Sequence, residues 1–155
     1  MEVFLIRHAE AIDETLELRD PHRHLTPHGR VQARALGDRL RWHDCTPTHL
    51  WASPLVRAVQ TAELVAAGLQ SDVPVEIVPG LAAGESARAV AAALRTLPAE
   101  ASVVLVGHEP NLSALGALLI ARDLAPLAKA EAVRIAGDQV RWRFSWDAEA
   151  PNPAR

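Results

Sequence analysis

The sequence predicts an α/β fold: a three-layer α/β/α domain with a largely parallel central sheet and an antiparallel hairpin at its C-terminal edge. Three observations predict it. Short apolar runs alternate with Thr-Pro and Ser-Pro helix-start signals. The runs are continuous, as in strands buried on both faces, where a strand with one wet face alternates. After about residue 130 the pattern changes to two runs flanking a turn-forming Gly-Asp.

The elements follow in order. Val3-Phe4-Leu5-Ile6, stopped by charge, is the first strand. Residues 9 to 25 are charged and aperiodic, and they lead to Thr26-Pro27, where Thr caps a helix running to about Trp42. Val31, Leu36 and Leu40 are its expected buried positions. His49-Leu50-Trp51-Ala52 is the second strand, and Ser53-Pro54 repeats the cap-and-proline signal before a helix from Leu55 to about Leu69. Pro74 to Pro79 brackets a third, edge-proximal strand, followed by a loop with Gly80 and Gly84 and an Ala-rich helix from Ser86 to Leu97. Ser102 to Val106 is the most hydrophobic strand and ends at Gly107. The helix after it, Asn111 to Ile120, is expected to pack through Leu112, Leu115, Leu118 and Leu119. Ala132 to Ile135 and Val140 to Trp146 form the hairpin around Ala136-Gly137-Asp138-Gln139.

With 155 residues the chain has room for one domain, expected over residues 1–146, with 147–155 as a flexible C-terminal tail. Aromatic residues make up 4% of it and Tyr is absent, which excludes a stacking platform for single-stranded nucleic acid. A net charge of −3 with both signs scattered offers no basic stripe for nucleic acid or an anionic membrane. One cysteine, Cys45, cannot form an internal disulfide. No apolar run approaches membrane-spanning length and no leader precedes the first strand, so a cytoplasmic location is the expectation.

In a parallel sheet the carboxyl ends of all strands open on one edge, where ligands bind. The first strand ends in Arg7-His8, the second leads through Ser53-Pro54 to Arg57, and the fourth ends in Gly107-His108-Glu109. Two imidazoles and two guanidiniums therefore approach one edge, beside the positive ends of the helices that begin near residues 53 and 110. A tetrahedral dianion such as a phosphoryl group fits that set. Surrounding positive charge keeps an imidazole neutral, so a ring nitrogen retains the lone pair needed to attack phosphorus. His8 is the expected nucleophile, and His108 the expected donor to an equatorial oxygen.

Four ordered blocks carry a resemblance: Leu5-Ile6-Arg7-His8-Ala9-Glu10, Leu25-Thr26-Pro27-His28-Gly29, Ser53-Pro54-Leu55-Val56-Arg57-Ala58-Val59-Gln60-Thr61-Ala62 and Val106-Gly107-His108-Glu109-Pro110. The chain resembles the histidine phosphatase superfamily, and within it the short SixA-like phosphohistidine phosphatases, over residues 3 to about 120. The resemblance implies transient phosphorylation of His8, a phosphate pocket made by Arg7, Arg57 and His108, and no metal or organic cofactor. It implies as partner a phosphorylated protein or a small phosphorylated substrate. The pattern departs at the general acid: many members carry a carboxylate on the loop after the third strand, where this chain has Gly80. Glu109, directly after the second histidine, is the preferred substitute, and Glu85 is the alternative. Phosphohistidine departs as an imidazole that carries its own proton, so a weak acid suffices and labile phosphoramidates suit the site better than sugar phosphates.

Other readings stay beside this one. Without a working acid, the pocket is that of a non-catalytic regulatory module that binds phosphorylated ligands. An open pocket also admits small phosphomonoesters, while a mutase is disfavoured because so short a chain has little to shield a phosphoenzyme from water. His22, His24 and His28 lack zinc-like spacing and a Cys partner and read as loop residues. Cys45 lacks a following phosphate-cradling loop. Trp42, Trp51, Trp142 and Trp146 are expected to pack, and Glu10 and Asp13 to be loop charges without a role.

Overall fold

A computed structural model describes residues 1–150 and 152–153. Its strands are β1 (Glu2–Arg7), β2 (His49–Ala52), β3 (Val75–Ile77), β4 (Ser102–Gly107), β5 (Glu131–Ala136), β6 (Gln139–Ser145) and β7 (Asn152–Pro153). The helices are α1 (Pro27–Arg41), α2 (Val56–Leu69), α3 (Ala87–Leu94) and α4 (Asn111–Ile120). One sheet joins the strands in the order β3-β2-β4-β1-β5-β6-β7. The first four run parallel, and β5 and β6 add the antiparallel hairpin, so the sheet is mixed as the sequence predicts. Of the expected tail, residues 151, 154 and 155 lie outside the described residues, and Asn152–Pro153 pairs antiparallel with β6.

Alternation along the central strands creates two cores. Phe4 and Ile6 of β1 and Val104 and Val106 of β4 face α1 and α2, with Leu36, Leu40, Ala62 and Val65. Val3 and Leu5, with Val103 and Leu105, face the opposite layer, with Val90 and Leu94 of α3 and Leu112 and Leu115 of α4. Both faces of β1 and β4 are therefore dry, which is why their sequences are unbroken apolar runs. Each fully buried Phe, Leu or Ile side chain contributes about 1.5–3 kcal/mol.

Three amphipathic assignments are corrected. Val31 and Leu118 are exposed, and so is Trp42, whose ring lies under the Arg41 guanidinium and outside both cores. At position 31 the reason is geometric: α1 crosses α2 so closely that glycines make the contact. A Cβ on Gly37 would lie 2.3 Å from the Val65 carbonyl oxygen, and one on Gly68 would lie 2.4 Å from that of Arg34. The buried stripe of α1 therefore runs through Gly29, Gln32, Ala33, Leu36, Gly37 and Leu40, small residues that hydropathy alone does not single out.

The helix signals hold in one place and shift in another. Thr26 caps α1, its hydroxyl accepting from Gly29 N at 2.9 Å. Ser53 does not cap α2. That helix begins at Val56 with Leu55 at the cap position, and the Ser53 hydroxyl is turned toward the functional edge. At the hairpin tip Gly137 sits at φ 62°, a conformation free of strain only without a Cβ.

Candidate active site

The sheet builds the site by register. Arg7 of β1 pairs with Gly107 of β4, and Ala52 of β2 pairs with Val106, so three neighbouring strands end level with one another. The ladder continues one step past them: His8 N donates to Gly107 O at 3.1 Å and Ser53 N to Val106 O at 3.0 Å. His8, His108 and Ser53 are thus adjacent because of strand pairing. The His8 and His108 rings lie 5.2 Å apart, centroid to centroid. His8 is 6% exposed, His108 3% and Arg57 5%.

Each cation is tied down by a different element. Arg7 Nη1 donates to the carbonyl of Leu127 at 3.0 Å, in the segment leading into β5. Arg57, in the first turn of α2, donates from Nη1 to the Asp20 carbonyl at 2.9 Å, and its Nη2 lies 3.5 Å from Asp20 Oδ2. Asp20 sits in a short 3₁₀ turn (Asp20–His22) of the loop after β1. Burial pushes its pKa up, but the Arg23 hydrogen bond and the charges of Arg57 and Arg23 outweigh that and hold its carboxyl below the usual carboxylate range. Thr61 links the two halves, donating to Arg57 O at 2.7 Å and accepting from Ala9 N at 3.0 Å.

The imidazoles are neutral at physiological pH. Burial is the main cause of the depression of His8 from 6.5 to about 3; the charges of His108, Arg57 and Arg7 add to it and the Ala9 carbonyl opposes it. For His108 burial again leads, then Arg57, bringing it to about 4. A neutral ring has one N–H and one lone pair. His8 Nδ1 lies 2.8 Å from Ala9 O, and a carbonyl only accepts. The proton is therefore on Nδ1, and Nε2 of His8 carries the lone pair.

Five buried side-chain nitrogens have no partner among the described residues, and three belong here: Arg7 Nε, Arg57 Nε and His108 Nδ1. Orphaned buried polar nitrogens are rare because each forfeits its hydration, so three among these residues, two of them guanidinium donors, mark a position for a polar ligand. Two fixed positive charges and three free nitrogens suit a multiply charged oxyanion.

The structure brings His8, Arg7, Arg57 and His108 together at the carboxyl edge, as the sequence predicts. Glu109, the preferred general acid, has both carboxylate oxygens hydrogen-bonded. Its Oε1 accepts from Ser113 N at 3.1 Å and Leu127 N at 3.3 Å, and its Oε2 from the Ser113 hydroxyl at 2.6 Å. Those three bonds use the carboxylate to join α4 to the segment that holds Arg7. Glu85 is exposed on its loop, whose backbone is fixed by Asn111 Nδ2 donating to Ala82 O and Glu85 O. His28 stacks edge-on with Trp146, and His24 Nδ1 bonds its neighbour's carbonyl. Among the described residues no group of three or more His, Cys, Asp or Glu is placed to hold a metal ion. No helix among them is long and apolar enough to cross a membrane.

Sequence reasoning missed Asp20, Thr61, Leu127 and the part played by Ser53. Thr61 had a readable signal, one helical turn after Arg57 in the same block. The Leu127 contact is through a main-chain carbonyl 120 residues from Arg7, which no side-chain pattern reports.

Fold and site together define a class: an α/β domain with an oxyanion site at the carboxyl edge of its sheet, built around a histidine with a free Nε2 lone pair. Comparison with known proteins makes the class specific. The family model for the histidine phosphatase superfamily (branch 1) matches residues 3–85, and the chain belongs to that superfamily. It is 30% identical over 135 residues to the phosphohistidine phosphatase SixA of Escherichia coli, covering 86% of this chain and 83% of that one. It is 36% identical over 114 residues to an uncharacterised protein of Picosynechococcus sp., covering 72% of this chain and 68% of that protein. A solved structure of the protein histidine phosphatase SixA complexed with tungstate superposes with a TM-score of 0.86 at 27% identity, over 94% of this chain and 97% of that one. The structure is SixA-like.

Proposed function

We propose that the protein is a phosphohistidine phosphatase that works through a phosphorylated His8. The observation that carries this reading is the free Nε2 lone pair of His8 in the company of three buried nitrogens without a partner among the described residues, an arrangement suited to in-line attack on a phosphoryl group. In the first step the Nε2 lone pair forms a bond to phosphorus as the substrate P–N bond breaks. The substrate imidazole, protonated on its other nitrogen, leaves as a neutral ring. Arg7, Arg57 and His108 hold the three equatorial oxygens throughout. In the second step water attacks the phosphohistidine, the P–Nε2 bond breaks, the water proton passes to the departing phosphate, and His8 returns neutral.

The placement of Glu109 favours this substrate class over alkyl phosphates. Its oxygens are engaged with Ser113 and Leu127, so the site offers little help to an alkoxide that must be protonated as it leaves. The binding of tungstate, a tetrahedral oxyanion, by the related SixA supports the same pocket chemistry. Substrates of this kind are phosphorylated proteins or small phosphoramidates.

Two measurements test the reading. Brief reaction with phosphorylated protein should leave acid-labile, base-stable label on His8, and His8→Ala should lower phosphohistidine hydrolysis by at least about 10³-fold. Turnover undiminished in His8→Ala, or faster hydrolysis of sugar phosphate than of phosphohistidine, would overturn it.

A further inference from the structure

The two imidazoles at the edge have different anchors. His8 is fixed by a main-chain carbonyl, but His108 Nε2 lies 2.7 Å from the hydroxyl of Ser53, a group able to donate or accept. Which of these it does decides what His108 shows the substrate.

The remaining contacts of Ser53 settle the direction. Its side chain is completely buried, and one Oγ lone pair already accepts from Leu55 N at 3.2 Å. If His108 carried its proton on Nε2, that N–H would occupy the second lone pair. The Ser53 hydroxyl hydrogen would then be left inside the protein without an acceptor, a loss of about 1–3 kcal/mol. If His108 Nε2 is unprotonated, Ser53 donates to it and every group is satisfied. The ring proton is then on Nδ1, the nitrogen that has no partner among the described residues.

We propose that Ser53 is a positioning residue that fixes His108 in its Nδ1–H tautomer, so that the ring offers a donor, and not a lone pair, to the transferring phosphoryl oxygens. Both histidines then carry their proton on Nδ1 with opposite results: in His8 this frees Nε2 to attack, and in His108 it arms the nitrogen beside the substrate. The other tautomer would aim a lone pair at an anionic oxygen and repel it. Ser53 therefore serves the site through His108 and touches no reacting atom. The inference rests on the phosphatase reading for its purpose but not for its test.

The test reads the tautomer and anion binding in the intact chain without turnover. Long-range ¹⁵N–¹H spectra at pH 7, with the His108 ring assigned by its disappearance in His108→Asn, should show a protonated Nδ1 and an unprotonated Nε2. In Ser53→Ala the Nε2–H form should become populated, and affinity for inorganic phosphate should fall about tenfold. Ser53→Thr, which keeps the hydroxyl, should restore both. A protonated Nε2 in the unsubstituted protein, an unchanged tautomer in Ser53→Ala, or a changed tautomer with unchanged phosphate affinity would each overturn the proposal. If instead the tautomer and affinity respond as stated and no phosphorylated substrate is hydrolysed, the Ser53 assignment stands and the proposed function falls.

Discussion

Arg7 and Arg57 make equivalent demands on the chain, since each must hold a guanidinium at the same edge, yet the fold secures them differently. Arg7 leans on an uncharged carbonyl, that of Leu127, which Glu109 steadies from its other side through Leu127 N. Arg57 leans on Asp20, whose carbonyl and carboxylate both face it. A carbonyl fixes a cation without cancelling its charge. A carboxylate fixes it and also competes with any arriving anion. The Arg7 side is therefore the committed electrostatic support, and the Arg57 side is one whose strength Asp20 moderates.

The largest expected effect would break this comparison at its root. Arg7→Ala and Arg57→Ala should each lower kcat/KM for phosphohistidine by at least about 10²-fold, since each removes a preorganised cation from the developing charge. A variant within threefold of the unsubstituted enzyme would show that its side of the site carries nothing. Next in size is Glu109→Gln. One of its oxygens becomes an NH₂ that opposes Ser113 or Leu127, which loosens the support of Arg7. Hydrolysis of phosphohistidine and of an alkyl phosphate should slow by a similar factor, about 5–10-fold, mainly through KM. Much greater slowing of the alkyl phosphate would return Glu109 to the role of proton donor. The smallest effect is Asp20→Asn, which keeps the carbonyl contact to Arg57 and removes the competing charge. Affinity for inorganic phosphate should rise about threefold at low salt, with the gain shrinking as ionic strength screens it. Weaker binding would make Asp20 an organiser of Arg57 and not a competitor.

The same contrast explains what could be read from the sequence. Strand ends were legible because β1 and β4 are dry on both faces, so Arg7-His8 and Gly107-His108 stand out as polar residues after apolar runs. Arg57 followed from its place after a strand and a Ser-Pro turn. What supports these groups was hidden, because Leu127 acts through main-chain atoms and Asp20 through a loop with no periodicity. Ser53 was misread for a related reason: a serine before proline satisfies the local pattern of a helix cap, and only the pairing of β2 with β4 reveals the histidine beside it. Val31 was misassigned because the glycines of the α1–α2 crossing let backbone do the packing expected of large side chains.

The level ending of β1, β2 and β4 has a consequence for how the chemistry is maintained. The gap between His8 and His108, the proposed nucleophile and donor, is set by the spacing of adjacent parallel strands, about 4.8 Å, and not by the reach of flexible side chains. Evolution can therefore retune the surrounding loops for new leaving groups while the reacting distance stays constant, because changing it would require unzipping the centre of the sheet.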